Sequence, residues 1–166
     1  MADQNTQKPI ETQTSFQSLK DLPTPFTQAQ CVPHEHEFLI CRGKCKRDCY
    51  SYHLLKNEYK FICRYPDDVY LKGHCVVKLT DSNKNSNQIT LLSFDGEYKH
   101  TLTMKYVSVW NNDNNENEMD KLKKSNNYNK WIPFTDNHNN QIHIGGAGDH
   151  YEGVRAVIGG SNNNLL

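Results

Sequence analysis

A chain of 166 residues is long enough for one domain with an ordinary core, yet only 36% of it is hydrophobic, and the apolar residues fall in short runs separated by Asn, Lys, Asp and Gly. That pattern favours strands over helices. The 19 basic and 19 acidic residues cancel, so no field of one sign gathers nucleic acid, anionic lipid or a charged substrate.

No run approaches the roughly 18 apolar residues of a membrane span. Met1-Ala2-Asp3-Gln4 lacks the basic and apolar regions of a signal peptide, so the expectation is a cytoplasmic protein with no nucleic-acid and no membrane partner. Six cysteines without an export signal are expected to stay as thiols. Cys31, Cys41, Cys63 and Cys75 lie in apolar runs beside Val32, Ile40, Ile62 and Val76, where a thiol serves as a small buried side chain.

Residues 1–15, rich in Gln and Thr and without a period, predict a flexible leader, and residues 16–166 predict the ordered part. Leu22-Pro23-Thr24-Pro25 is a stiff connector, because proline lacks an amide hydrogen and biases its predecessor toward extended geometry. A first strand is expected over 29–33, then a polar turn at His34-Glu35-His36, then a buried strand at Phe38-Leu39-Ile40-Cys41 closed by Arg42-Gly43. Cys49-Tyr50-Ser51-Tyr52-His53-Leu54-Leu55 has the partial alternation of a half-buried strand, Lys56-Asn57-Glu58 is a turn, and Tyr59-Lys60-Phe61-Ile62-Cys63 is a fourth strand. Loops this short imply antiparallel order, so residues 29–63 predict one four-stranded unit.

A second unit is expected over 73–134. Its strands are Gly73-His74-Cys75-Val76-Val77-Lys78-Leu79, then Ile89-Thr90-Leu91-Leu92-Ser93-Phe94 before Asp95-Gly96, then residues 102–110, with a break in the alternation that suggests a bulge. Residues 111–129 are Asn, Asp, Glu and Lys with little to bury, and predict a disordered insertion. Trp131-Ile132-Pro133-Phe134 follows as an outer strand, placed at an edge by its proline. A third unit is expected to begin over 153–166, with Gly153-Val154-Arg155-Ala156-Val157-Ile158, a turn at Ser161-Asn162-Asn163-Asn164 and the opening of a strand at Leu165-Leu166.

The units repeat. The stretch from Phe16 through Leu22-Pro23 to Cys31-Val32 recurs from Tyr59 through Tyr65-Pro66 to Cys75-Val76, at a spacing of roughly 40–45 residues that points to stacked supersecondary units. Each unit combines a first strand, an apolar second strand ending in glycine, a tyrosine, and an aromatic fourth strand. These features are carried by Cys31-Val32, residues 38–43, Tyr50, Tyr52 and residues 59–66 in one unit, and by residues 74–77, residues 91–96, Tyr106 and Trp131 in the next. Together they resemble the kelch repeat of β-propellers. The paired glycine of that repeat survives only as Gly43 and Gly96, and Tyr59 or Phe61 stands where its tryptophan is expected in the first unit.

The resemblance implies an all-β, incomplete kelch-like β-propeller of two four-stranded antiparallel blades, at about 29–63 and 73–134, plus the start of a third at 153–166. A closed propeller needs roughly four to eight blades. The expected outcomes are a truncated gene product, a fragment that completes its ring with other chains or by self-association, or a short open stack protected by partners. The resemblance also implies that His74 is a structural histidine hydrogen-bonded within its blade. The retained glycine, Gly43 or Gly96, is expected because a tight exit favours unusual dihedral angles.

Candidate chemistry is sparse. Cys41, Cys45 and Cys49, with His34 and His36 nearby, offer thiols for a tetrahedral zinc site, against the plainer reading of strand residues plus one loop thiol. His36, His53, His100, His138, His143 and His150 have no nucleophile or carboxylate at a recognisable spacing and are expected at surfaces or turns. Gly145-Gly146-Ala147-Gly148 lacks the lysine and helix of a phosphate loop.

The functional expectation is a non-enzymatic protein-interaction module of kelch type, binding another protein through its loops, with no catalytic residue, cofactor or metal assigned. The alternative is a metal-dependent protein. It would hold zinc at Cys41, Cys45 and Cys49 or, as the resemblance to galactose oxidase implies, copper at a site drawn from Tyr50, Tyr52, Tyr106 and His74.

Overall fold

The computed structural model describes residues 19–23, 25–41, 43, 46–79, 88–95, 98–110, 127–146, 148–150, 153–156, 158–159 and 164–165. The expected leader, the loop over 80–87 and most of the expected insertion lie outside them. Among the described residues the chain is all-β, with two open four-stranded antiparallel sheets and no helix. No helix there is long and apolar enough to cross a membrane.

The first sheet runs β1 (Gln30–His34), β2 (Glu37–Cys41), β3 (Asp48–His53) and β4 (Glu58–Arg64) in chain order. A two-residue turn joins β1 to β2, with His34 opposite Glu37 and Glu35 in the left-handed region at φ 52°. At the β3–β4 turn the Asn57 amide donates to the His53 carbonyl at 2.8 Å, and Asn57 adopts φ 51°. Asparagine tolerates this conformation better than most residues.

Register sorts the side chains onto two faces. Leu39 lies opposite Ser51 and Cys41 opposite Cys49 on one face, while Phe38 lies opposite Tyr52 and Ile40 opposite Tyr50 on the other. Cys31 sits on the outward phase of β1 and is exposed, which corrects its expected burial: alternation, and not the apolar neighbour Val32, decides where it points.

The second sheet repeats the order with β5 (Cys75–Leu79), β6 (Gln88–Phe94), β7 (Thr101–Val107) and β8 (Ile132–Pro133). The bulge expected in the third strand is absent. β7 pairs with β6 in unbroken register from Thr101 opposite Phe94 to Val107 opposite Gln88. The apparent break in alternation marks the end of the strand. The register shift lies instead between Cys49 and Tyr50, in the β3–β4 pairing. Pro133 is on the outermost strand, where a missing amide hydrogen removes no ladder bond.

Of the expected insertion over 111–129, residues 127–129 are described and lie against β7. Tyr128 bridges Lys105, and the Asn129 side chain both accepts from the Val107 amide at 2.9 Å and donates to the Val107 carbonyl at 3.0 Å.

The faces stack in layers. Leu39, Cys41 and Cys49 of the first sheet share a core with Val76, Leu91, Leu102, Met104 and Trp131 of the second. The opposite face of the second sheet, with Cys75, Val77, Leu92 and Phe94, is covered by Phe134, Ile144, Val154 and Ala156. Beyond it β9 (Ile158–Gly159) and β10 (Asn164–Leu165) form an antiparallel pair.

Between the two large sheets sits a polar lock. The Glu37 carboxylate is buried and accepts from the Ser51 hydroxyl at 2.6 Å, from the Tyr106 hydroxyl and from the Ser108 hydroxyl. Trp110 completes the network, its indole N–H donating to Ser51 Oγ at 2.8 Å and its amide to Ser108 Oγ at 3.2 Å. A buried carboxylate is tolerated only when its lone pairs are satisfied, and here residues of both sheets satisfy them.

Candidate functional site at the loop end

Three connections meet at one end of the stack: the β2–β3 loop, the β4–β5 connector and the β6–β7 loop. Arg47 of the first donates to both the Asp67 carboxylate, at 3.1 Å, and the Asp67 carbonyl of the connector. The Tyr65 amide returns a bond to the Arg47 carbonyl at 2.9 Å. The connector is joined in turn to the β6–β7 loop, because buried Asp95 accepts from the amides of Lys72 at 3.2 Å and Tyr98 at 3.3 Å. A segment after β8 adds a fourth side, with Lys99 Nζ donating to the Gly146 carbonyl at 3.1 Å and His143 Nδ1 lying 3.0 Å from the Lys99 carbonyl.

This framework holds an aromatic pair against solvent. Tyr70 and Tyr98 have ring centroids 4.8 Å apart and remain 60% and 47% exposed. They flank a cleft of about 540 Å³ whose apolar lining comes from Pro66, Val69, Leu102 and Pro133, with Asp68, Lys99, Gln141 and His143 supplying polar groups. Tyr70 also borders a second cleft of about 210 Å³, beside Lys46 and Arg47. The pair thus sets a large exposed aromatic area over apolar ground with polar groups around it.

His100 lines the cleft from its buried side and lies near a second buried histidine, His74, with ring centroids 6.3 Å apart. Tyr65 donates to Ser93 Oγ at 3.0 Å, and Ser93 Oγ lies 3.1 Å from His100 Nε2. Burial lowers the His100 pKa against the opposing pull of Asp95. His74 is fully buried, and burial, with the neighbouring His100 and Arg155 charges, pushes its pKa down to about 4. Neither ring nitrogen of His74 has a hydrogen-bond partner, so the expected bond within the blade is not made. His74 precedes the first paired residue of β5 and packs edge-on against Tyr65 instead, with centroids 5.9 Å apart.

The other candidates scatter. Tyr50 and Tyr52 lie on the face of the first sheet turned away from the second, whereas Tyr106 bonds Glu37 between the sheets and His74 sits at the loop end. These four therefore do not converge. His36, His138, His143 and His150 are exposed, His53 is half-buried 5.1 Å from the Trp110 ring centroid, and His100 is in the β6–β7 connection, as a surface-or-turn residue was expected to be, but is buried there. Of the Gly145 to Gly148 stretch, Gly146 donates its amide to Asp149 at 2.7 Å, within a local turn.

Cys45 lies outside the described residues. Cys41 and Cys49 are directly opposite one another, and Cys63 extends the row on β4. Hydrogen bonding to Cys49, then burial, raises the pKa of Cys41 and Cys63. Burial would raise Cys49 as well, but donors from Cys41, Cys63 and Trp131 outweigh it and hold that thiol low. Among the described residues no group of three or more His, Cys, Asp or Glu side chains could hold a metal ion.

Sequence reasoning missed Tyr70, Tyr98 and Asp67. The available signal was a pair of bulky aromatics placed in connectors, outside every alternating run, where no core claims them. No family model matches the chain, and neither a curated protein nor a solved structure matches it.

Proposed function

We propose that the chain is a non-enzymatic protein-interaction module, that its sheets are successive blades of an incomplete kelch-like propeller, and that the loop end carries the binding surface. The observation that carries this reading is the exposed Tyr70–Tyr98 pair over an apolar cleft, held by the hydrogen bonds and the ion pair that tie three connections together. Tyrosine supplies large contact area at low entropic cost, and such residues dominate binding energy in interfaces. The blade arrangement is supported by the layered faces and by the closest approach of the two large sheets at their first strands, β1 and β5. Bulky Tyr65 and Trp131 fill the gap near the outer strands β4 and β8, as a wedge-shaped pair of sheets requires.

The test is affinity capture with the wild-type chain and with the Tyr70→Ala/Tyr98→Ala variant, after circular dichroism has shown the two equally folded. Recovery of a specific partner by the wild type and its loss by the variant is the expected result. Equal recovery by both moves the surface elsewhere, and no specific partner for either removes the interaction reading.

A further inference from the structure

Three cysteines fall on one rung of the first sheet, Cys41 opposite Cys49 and Cys49 opposite Cys63. Directly opposed residues of antiparallel strands have Cα atoms about 4.5 or 5.5 Å apart. That falls inside the roughly 4.4–6.8 Å a disulfide spans. Cys49 is therefore a central sulfur with a partner on each side, and it can bond to only one at a time. All three are free thiols. Trp131 Nε1 donates to Cys49 Sγ at 3.4 Å, and Cys63 Sγ lies 3.5 Å from Met104 Sδ, so the row is enclosed by aromatic and thioether groups. Access is graded: Cys41 and Cys49 are completely buried, whereas Cys63 is half-buried on the outer strand β4. A small reagent arriving from solvent, or through fraying of that strand, meets Cys63 first.

We propose that this row is a redox site in which Cys63 is the entry thiol and Cys49 the resolving thiol, closing as a disulfide when a low-molecular-weight disulfide such as oxidised glutathione is present. The Cys63 proton passes to the adjacent Cys49 thiolate, and the Cys63 sulfur so ionised attacks the external disulfide, whose S–S bond breaks and whose second half leaves as a thiolate. Cys49 gives up its proton to that thiolate and attacks the Cys63 sulfur. The Cys49–Cys63 bond forms, and the remaining external thiolate departs and is protonated by solvent. Two protein thiols are oxidised and one external disulfide is reduced to two thiols. Cys41, on the far side of Cys49, takes no part in the first closure.

The experiment uses the full chain with Cys31→Ser and Cys45→Ser, which removes exposed Cys31 and a further cysteine outside the row, incubated natively with oxidised glutathione. Peptide mapping after alkylation should show a Cys49–Cys63 cross-link, an intact mass lower by two hydrogens, and Cys75 unmodified. Trp131 fluorescence should change with closure, because its indole N–H faces the reacting sulfur. Cys63→Ser should slow oxidation of the row about ten-fold or more, and Cys41→Ser should still yield the Cys49–Cys63 cross-link as the first product. Circular dichroism of each variant, with Cys63→Ala as a second replacement, separates slow oxidation from misfolding. The proposal is overturned by a stable glutathione adduct on Cys63 without cross-link, by a Cys41–Cys49 bond formed first, or by equal rates with and without Cys63.

Discussion

Trp131 stacks on Tyr65 with ring centroids 4.7 Å apart and planes 15° from parallel, joining the entry to β8 in one sheet to the exit of β4 in the other. Both rings are almost fully buried, and each keeps its polar tip satisfied: the indole N–H on Cys49 and the phenol on Ser93. Aromatic pairs of this kind add stabilisation beyond their buried area. Trp131→Ala should cost about 3–5 kcal/mol. Trp131→Phe should cost less, since it keeps most of the volume and forfeits the bond to Cys49. Urea denaturation followed by circular dichroism measures both, and equal losses for the two variants would show that ring stacking contributes little.

The Glu37 network makes a different prediction, because it concerns satisfaction and not volume. Glu37→Gln preserves the shape but replaces one acceptor oxygen with a donor, facing hydroxyls that already donate to that carboxylate. A cost of about 2–4 kcal/mol follows from leaving buried donors unpaired. In the double variant Glu37→Gln/Tyr106→Phe the losses should fall short of additive, since one unpaired hydroxyl has gone. Strict additivity in thermal or urea midpoints would mean that the two residues do not share an interaction.

The strand runs were legible because short apolar segments bounded by polar turns carry their own period, and all eight strands of the two large sheets fall within or beside the predicted runs. The cross-strand register was not legible. Nothing local in Cys63 announces that it lies opposite Cys49, because that pairing depends on turn length and on a one-residue shift at Tyr50. Glu37 was equally hidden: it sits one residue past a polar turn, and only the approach of Tyr106 and Ser108 from the second sheet makes it interior. The loop end combines both difficulties, since Tyr70 and Tyr98 meet across connections that have no periodicity at all.

Acid should weaken the fold through the buried histidines. His74 is held neutral in the folded protein with a pKa of about 4, against roughly 6.5 when exposed. The unfolded chain therefore takes up a proton first as pH falls. The stabilisation from keeping His74 neutral is complete above about pH 6.5 and is lost as pH drops through about 4, with a limit near 3 kcal/mol for the single group. His100 is shifted in the same direction. Comparing urea midpoints at pH 7 and pH 4 for the wild type and for His74→Phe isolates this contribution from that of the carboxylates. An unchanged pH dependence in the variant would place the acid sensitivity elsewhere.

Gly43 gives the sharpest backbone prediction, and for a reason other than unusual dihedral angles. A Cβ at this position would lie 2.3 Å from the Gln28 carbonyl oxygen and 2.6 Å from that of Thr27. Both obstacles are backbone, so no rotamer change relieves them. The glycine is required because the segment leading into β1 crosses directly over the exit of β2. Gly43→Ala must displace that segment, at about 2–3 kcal/mol. The displacement should appear as faster amide exchange on the residues entering β1, with β6 and β7 unaffected. A loss below about 0.5 kcal/mol, the scale of an ordinary surface substitution, would show that the crossing segment yields freely.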